Sequence, residues 1–216
     1  MIFDLHNYFR SSSSYRVRIA LNLKGLAYNY LPVHLNRNGG EQFTPAFRAL
    51  SPDAVVPVLV AGADTLTQSL AIIEWLEETQ PGAALLPSVP AERAFVRALS
   101  QTIACEIHPL NNLRVLKYLT GVLKLDEAQK LAWVQHWTGQ GLAAVEAMLA
   151  QRKQAGTFCL GEQPGLADCC LVPQVFNAER FGIDVSVYPT ISSINAACQQ
   201  LPAFRDAHPG RQIDAE

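Results

Sequence analysis

The sequence predicts a chain in two parts, a small α/β unit followed by an all-helical one, and three observations carry that reading. The apolar pattern changes period repeatedly between Ile2 and about Gln80, but is helical almost throughout beyond Ala91. Between them, Pro81 to Pro90 holds three prolines and reads as a linker. The 216 residues, 49% apolar and 17% charged, suffice for two small cores without metals or disulfide staples.

The elements follow in order. Ile2-Phe3-Asp4-Leu5-His6-Asn7-Tyr8 is short, partly alternating and ends in polar residues, as a first strand does. Val17, Ala20, Leu21 and Lys24 then fall on helical spacing, with serines before them and Gly25 after as start and stop signals. Tyr28 to Val33 reads as a second strand, and its internal Pro32 places it at a sheet edge. After a loop or weak helix near Phe43 to Ala49, Val55 to Val60 and Thr65-Leu66 form a hairpin around Ala61-Gly62-Ala63-Asp64. Ser69 to Gln80 is a helix closed by Pro81-Gly82. The order βαβ then ββα is the thioredoxin-like arrangement. Beyond it, helices are expected over Ala91 to Leu119, Asp126 to Lys153, Leu166 to Phe181 and Thr190 to Gln200. The expected division is 1–82, a linker over 83–90, and a helical unit over 91–216.

Composition removes several function classes. A formal charge of -2 and a pI near 6.2 give no reason to expect a phosphate backbone or an anionic membrane as partner. The start, Met1-Ile2-Phe3-Asp4-Leu5-His6, lacks a basic region followed by an apolar one, and no window approaches 18 uninterrupted apolar residues. Five cysteines without CxxC spacing suit reduced thiols, so a cytoplasmic location is expected. The five histidines include no pair at i,i+4, and no metal is expected. Dinucleotide, Walker-type and GxSxG signatures are absent.

Three short segments could carry chemistry. Ser11-Ser12-Ser13-Ser14 lies between the end of a strand and the start of a helix, where backbone donors, hydroxyls and the helix dipole favour an anion such as a thiolate. Making a thiol of pKa ~8.5 mostly ionised at pH 7 takes a shift of about two units, roughly 2.7 kcal/mol. One or two hydrogen bonds to a charged acceptor, at about 1.5–3 kcal/mol each, supply that. The same run also fits an ordinary serine N-cap, and position alone favours that reading. Val56-Pro57 is a proline entering a strand, tolerated at an edge or as a cis bond, and a cis bond would turn Val56 backbone groups outward to pair with an extended peptide. Gln68-Ser69 opens a helix whose N3 residue, Ile72, completes no capping box. Its first-turn donors could take a carboxylate, or Ser69 could be a structural cap only.

The combination resembles a zeta-class glutathione transferase, the family containing maleylacetoacetate isomerase and maleylpyruvate isomerase. The matching segments are Tyr8 to Ser12, Tyr15 to Leu21, Val56-Pro57, Gln68 to Glu74, Leu171 to Val175 and Tyr188 to Ile191. They span both parts of the chain. The resemblance implies the glutathione transferase fold, glutathione as cofactor, a homodimer, and Ser11 as the hydroxyl facing the glutathione sulfur with Ser12 beside it. It further implies that Val56, after which Pro57 fixes the turn, pairs with the cysteinyl backbone and that Gln68 and Ser69 hold the γ-glutamyl carboxylate. Gln42, His108 and Asn112 occupy positions where the family contacts glutathione or closes over it.

Two positions depart from the family pattern. Ser13 stands where a cysteine is often found, so no cysteine there is essential in this chain. Gly165 stands three residues before Asp168 where Ser or Thr is usual, leaving a capping box half built. Arg10, beside the sulfur site, and Arg114 and Arg180, on helices of the second part, offer guanidinium forks suited to a carboxylate or an enolate. The implied activity is glutathione-dependent cis-trans isomerisation of maleylacetoacetate to fumarylacetoacetate. Isomerisation of maleylpyruvate is the alternative, followed by conjugation or dehalogenation of small α-halo acids and, last, a non-catalytic interaction module.

Overall fold

A computed structural model describes residues 2–152 and 155–216. The chain forms two compact units, one of Met1–Leu85 with Gln200–Glu216 and the other of Leu86–Gln199.

In the first unit, β1 (Phe3–Asn7), β2 (Tyr28–Pro32), β3 (Val58–Ala61) and β4 (Asp64–Thr67) make one sheet in the order β2-β1-β3-β4. β2 runs parallel to β1, with Asn7 opposite Pro32; β3 is antiparallel to β1, with His6 opposite Val58; β4 is antiparallel to β3, with Val58 opposite Thr67. The ends of β1, β2 and β4 and the start of β3 therefore share one edge. Helices α1 (Ser12–Leu23) and α3 (Ser69–Thr79) both begin there, directly after β1 and β4.

Strand alternation sorts the residues between two layers. Phe3 and Leu5 are buried, and the Phe3 ring meets Trp75 of α3 edge-on at 6.3 Å. On the other face, His6 meets Phe47 of the short helix α2 (Pro45–Leu50), and Val58 joins Tyr8, Phe9, Val33, Phe47 and Val56 in one cluster. Pro32 lies on an edge strand, as its missing N–H requires. The hairpin is tighter than expected, because Ala61 pairs with Asp64 and leaves only Gly62-Ala63 as the turn, with Gly62 at φ +65°. Val55 and Val56 precede β3 instead of forming part of it, and the Val56-Pro57 peptide is cis.

The expected single helical unit over 91–216 differs from the structure at its end, where residues 200–216 belong with the first unit. A helix absent from the sequence reading, α9 (Pro202–Ala207), lies along α1. Tyr15 Oη, Arg18 Nε and Asn22 Nδ2 donate to the carbonyls of Phe204, Ala207 and Ala203 at 3.4, 3.0 and 3.0 Å. α1 is thus covered on nearly every side, which explains why its run from Ser14 to Leu21 is buried.

The second unit is helical: α4 (Pro90–Gln101), α5 (Leu113–Gly121), α6 (Glu127–Ala150), α7 (Leu166–Arg180) and α8 (Pro189–Gln199). The expected continuous helix over Ala91 to Leu119 is broken. A wide-turn segment over Thr102–Ile107 and a tight one over His108–Asn111 intervene, since Pro109 supplies no N–H to continue the ladder. Gly141 of α6 admits this distortion, because a Cβ there would meet Ile107 Cγ1 at 2.3 Å. α6 begins with a complete capping box, Asp126 with Gln129, and ends at Ala150; the expected end at Lys153 lies outside the described residues. The Glu146 carboxylate caps α8, accepting from the N–H groups of Thr190 and Ile191, both at 2.9 Å. Among the described residues, no helix is long and apolar enough to cross a membrane.

Candidate functional site

The shared sheet edge collects the three sequence segments. Ser11 has extended backbone and caps α1, its Oγ accepting the Ser14 N–H at 3.2 Å. An oxygen engaged as acceptor toward the helix still has its own hydrogen to donate elsewhere. The two sequence readings of this serine are therefore compatible, and one atom can serve both. The rest of the run divides by burial: Ser12 is buried in the first turn, Ser13 is half-buried, and Ser14 is buried with its Oγ accepting the Tyr8 N–H at 3.4 Å.

Arg10, the residue before Ser11, is exposed, its guanidinium 5.7 Å from the Phe9 ring and 6.0 Å from the Tyr8 ring in a cation-π arrangement. Tyr8 itself is core. Burial pushes its phenol up, against the pull of the Arg10 charge, so it stays neutral among Phe9, Val33 and Phe47.

Across the edge, Val56 and Pro57 are buried at the cis peptide. Ser69, first residue of α3, is buried and accepts from Arg16 Nη1 at 3.2 Å. The preceding Gln68 is exposed, has φ +66°, and makes no side-chain cap; its Nε2 lies 3.5 Å from Asp53 Oδ2. A non-glycine residue held there costs about 1–3 kcal/mol, the kind of strain that collects at binding sites. With no acidic residue in its first turn, α3 presents bare N–H donors and the positive end of its dipole. Gln42 follows β2 on the same edge. It is buried, donates from Nε2 to the Leu35 carbonyl at 3.4 Å, and leaves Oε1 without a partner. Gly40, at φ +111°, makes room for it: a Cβ there would lie 2.7 Å from Gln42 Oε1.

The structure thus brings Arg10, Ser11, Ser12, Gln42, Val56, Pro57, Gln68 and Ser69 together on one unit. Two helix N-termini face a common edge, so the site suits an extended ligand with two anionic ends, such as a carboxylate and a thiolate.

The other four predicted residues lie in the second unit. His108 opens the tight segment before α5. Asn112 caps α5, its Oδ1 accepting the Arg114 N–H at 3.1 Å, and Arg114 is exposed. Arg180 is the exposed last residue of α7, stacked 4.6 Å over the Phe181 ring, where its charge complements the negative helix end. The half capping box works from one side as expected, with Asp168 Oδ2 accepting the Gly165 N–H at 2.8 Å. Its Oδ1 also accepts the Cys159 N–H at 2.9 Å. Burial pushes the Asp168 carboxyl up, and likewise the thiols of Cys159, Cys169 and Cys198, which makes those thiols inert. No group of three His, Cys, Asp or Glu among the described residues could hold a metal.

Four residues of the first unit escaped the sequence reading: Arg16, which bonds Ser69; Arg18, whose fully buried guanidinium grips the loop before Ser11; and Tyr30 and Asp214, which meet beside Phe9. Burial pulls the Arg18 pKa down, yet a guanidinium stays charged, and four acceptors surround it. The arginines themselves could have been singled out, since two charges within the otherwise apolar stretch Tyr15 to Leu21 must each find partners, but nothing local names those partners. Asp214 gave no signal, being 205 residues from the amide it binds.

Residues 5–84 match the glutathione S-transferase N-terminal domain and residues 132–210 the glutathione S-transferase C-terminal domain. A probable maleylacetoacetate isomerase of Vibrio cholerae is 50% identical over 98% of this chain and 97% of its own. A holo maleylpyruvate isomerase, described as a bacterial glutathione S-transferase of the zeta class, superposes with a TM-score of 0.95 at 49% identity, covering 99% of this chain and all of its own. A maleylacetoacetate isomerase from Methylobacterium extorquens AM1, solved with bound malonate and glutathione, gives 0.94 at 39% identity, covering 99% of each chain.

Proposed function

The chain belongs to the zeta class of the glutathione S-transferase family, and from that premise we propose that it isomerises maleylacetoacetate to fumarylacetoacetate with glutathione as cofactor. The observation that carries the reading is Ser11 and Arg10 side by side where α1 begins, on the same sheet edge as the uncapped start of α3.

The residues present fit glutathione. The bare N–H groups at Ser69 and the strained Gln68 suit its γ-glutamyl carboxylate, Val56 before the cis proline suits its extended backbone, and the partnerless Gln42 Oε1 offers an acceptor. Bound there, glutathione would supply a thiolate able to add reversibly to a cis double bond and so free that bond to rotate. Ser11 donates its hydroxyl to the sulfur, and the start of α1 lowers the cost of the charge. Arg10 holds the negative charge that develops on the substrate carbonyl oxygen, and Arg180 takes a carboxylate of the substrate. His108, Asn112 and Arg114 stand as secondary contacts on the second unit, with Asn112 also needed as a cap. No residue of this site has to act as general base once the thiolate is formed.

Maleylpyruvate is the second reading, favoured by the 49% identity and close superposition with a maleylpyruvate isomerase. Ultraviolet assays with both substrates, with and without glutathione, separate the two. A higher kcat/KM for maleylacetoacetate supports the first reading, a higher one for maleylpyruvate replaces it, and turnover only of α-halo acids rejects both. We further propose a cytoplasmic homodimer, consistent with five free cysteines; a monomer in sedimentation equilibrium contradicts the dimer.

A further inference from the structure

The loop carrying Arg10 and Ser11 is fixed from outside the site by two charged side chains. The Phe9 N–H donates to Asp214 Oδ2 at 3.1 Å, and the Phe9 carbonyl accepts from Arg18 Nη2 at 2.9 Å. The Tyr8 carbonyl accepts from the Ser11 N–H at 3.1 Å and lies 3.4 Å from Arg18 Nη1. Both peptide planes flanking Phe9 are therefore anchored. Because each peptide is rigid, this sets the direction in which the chain enters Arg10 and Ser11.

Asp214 is itself held. Tyr30 Oη donates to its Oδ1 at 2.5 Å, and Arg18, which also grips the Ala207 carbonyl at 3.0 Å, ties the segment carrying Asp214 to the same guanidinium. A carboxylate is a stronger partner for the Phe9 amide than a neutral acceptor, and hydrogen bonds to ionised groups are roughly twice as strong. The more distal contacts, Glu216 with His34 and Arg37, are exposed on the glutamate side and add little.

We propose that Asp214 is a positioning residue of the thiolate site, orienting Arg10 and Ser11 through the Phe9 amide, so that residues 200–216 serve the reaction as well as the fold. The inference rests on the glutathione reading given above. A carboxylate also acts on a thiolate through its field alone, and the two effects have opposite signs. Removing a negative charge on its own favours the thiolate and lowers the thiol pKa, whereas misdirecting the Ser11 donor raises it.

The test uses Asp214→Ala and Asp214→Asn in the full chain, with the ultraviolet thiolate band of bound glutathione titrated against pH and amide exchange followed without ligand. Alanine removes charge and acceptor. Asparagine removes the charge but keeps an oxygen for the Phe9 N–H. The alanine variant is expected to raise the thiol pKa by about one unit, a tenfold loss of thiolate stabilisation. It should also speed Phe9 amide exchange about tenfold or more. The asparagine variant is expected to restore slow exchange and a parental or slightly lower thiol pKa. A thiol pKa in the alanine variant that is unchanged or lowered, or Phe9 exchange left at the parental rate, overturns the inference. Should the alanine variant not fold, Asp214→Glu keeps the charge and displaces the oxygens by one methylene, so a raised thiol pKa supports positioning and an unchanged one refutes it. An unsubstituted protein showing no thiolate band with glutathione defeats the isomerase reading itself, and this inference with it.

Discussion

Replacing Ser11 separates two functions that one oxygen performs. Ser11 Oγ accepts the Ser14 N–H at 3.2 Å, near the long end of the hydrogen-bond range. Loss of such a cap to alanine costs about 1 kcal/mol, whereas glycine, itself a fair N-cap, costs only a few tenths. For a chain of this size 1 kcal/mol corresponds to a fall in Tm of about 2–4 °C. The donated hydroxyl proton is a separate matter. Removing a donor aimed at developing or resident negative charge costs roughly 10-fold to 1000-fold in turnover, about 1.4–4 kcal/mol. Ser11→Ala should therefore lose both stability and turnover, with a smaller loss of glutathione binding, while Ser11→Gly should lose turnover to the same degree and keep nearly all its Tm. Thermal unfolding followed by circular dichroism, paired with the isomerase assay, reads both quantities. If Ser11→Gly retains parental turnover, the hydroxyl has no part in the reaction and Ser11 is a cap only.

Further consequences concern the frame around the site. Arg18→Met takes the guanidinium from four buried acceptors, of which the Tyr8 carbonyl keeps the Ser11 N–H; a buried acceptor left unsatisfied costs about 1–3 kcal/mol, so the loss in urea unfolding should be several-fold above about 1 kcal/mol, and a loss below about 1 kcal/mol contradicts the clamp. Glu146 caps α8: burial pushes its carboxyl up, but hydrogen bonds from Thr190 and Ile191 outweigh that and hold it below the usual range. A depressed pKa means stability present above the unfolded value of about 4.3 and lost as pH falls through the folded one. Glu146→Gln should thus lower Tm at pH 7, with the gap to the parent closing below about pH 4; a pH-independent gap refutes the assignment. Arg180→Ala should raise KM roughly 10-fold or more for carboxylate substrates and leave neutral electrophiles unaffected; equal losses for both make it structural.

Local chemistry made much of this fold readable from sequence. Changes of hydrophobic period, the serine start and Gly25 stop of α1, and Pro32 at an edge all act within a few residues, and they gave the element order and the edge position of β2. Val56-Pro57 was readable as a choice between an edge proline and a cis bond, and an inner β3 beginning after Pro57 goes with the cis form. What stayed hidden depends on distant partners. The break at Thr102–Ile107 needs the space at Gly141, and α9 is a six-residue helix that only its docking on α1 explains. The site was legible where capping chemistry and anion chemistry coincide, at Ser11 and Ser69. It was not legible in its supports, because the interactions of Arg18 with Ala207 and of Asp214 with Phe9 join residues with no common local pattern.

The central claim is that glutathione is used and returned unchanged at Ser11 while a cis bond becomes trans. Maleylacetoacetate supplied in large molar excess over glutathione tests it most directly, with trans product and free thiol both quantified at completion. The account predicts full conversion with all of the thiol recovered. Conversion that stops when product equals the glutathione added, with the thiol consumed, would make this protein a conjugating transferase and contradict the account.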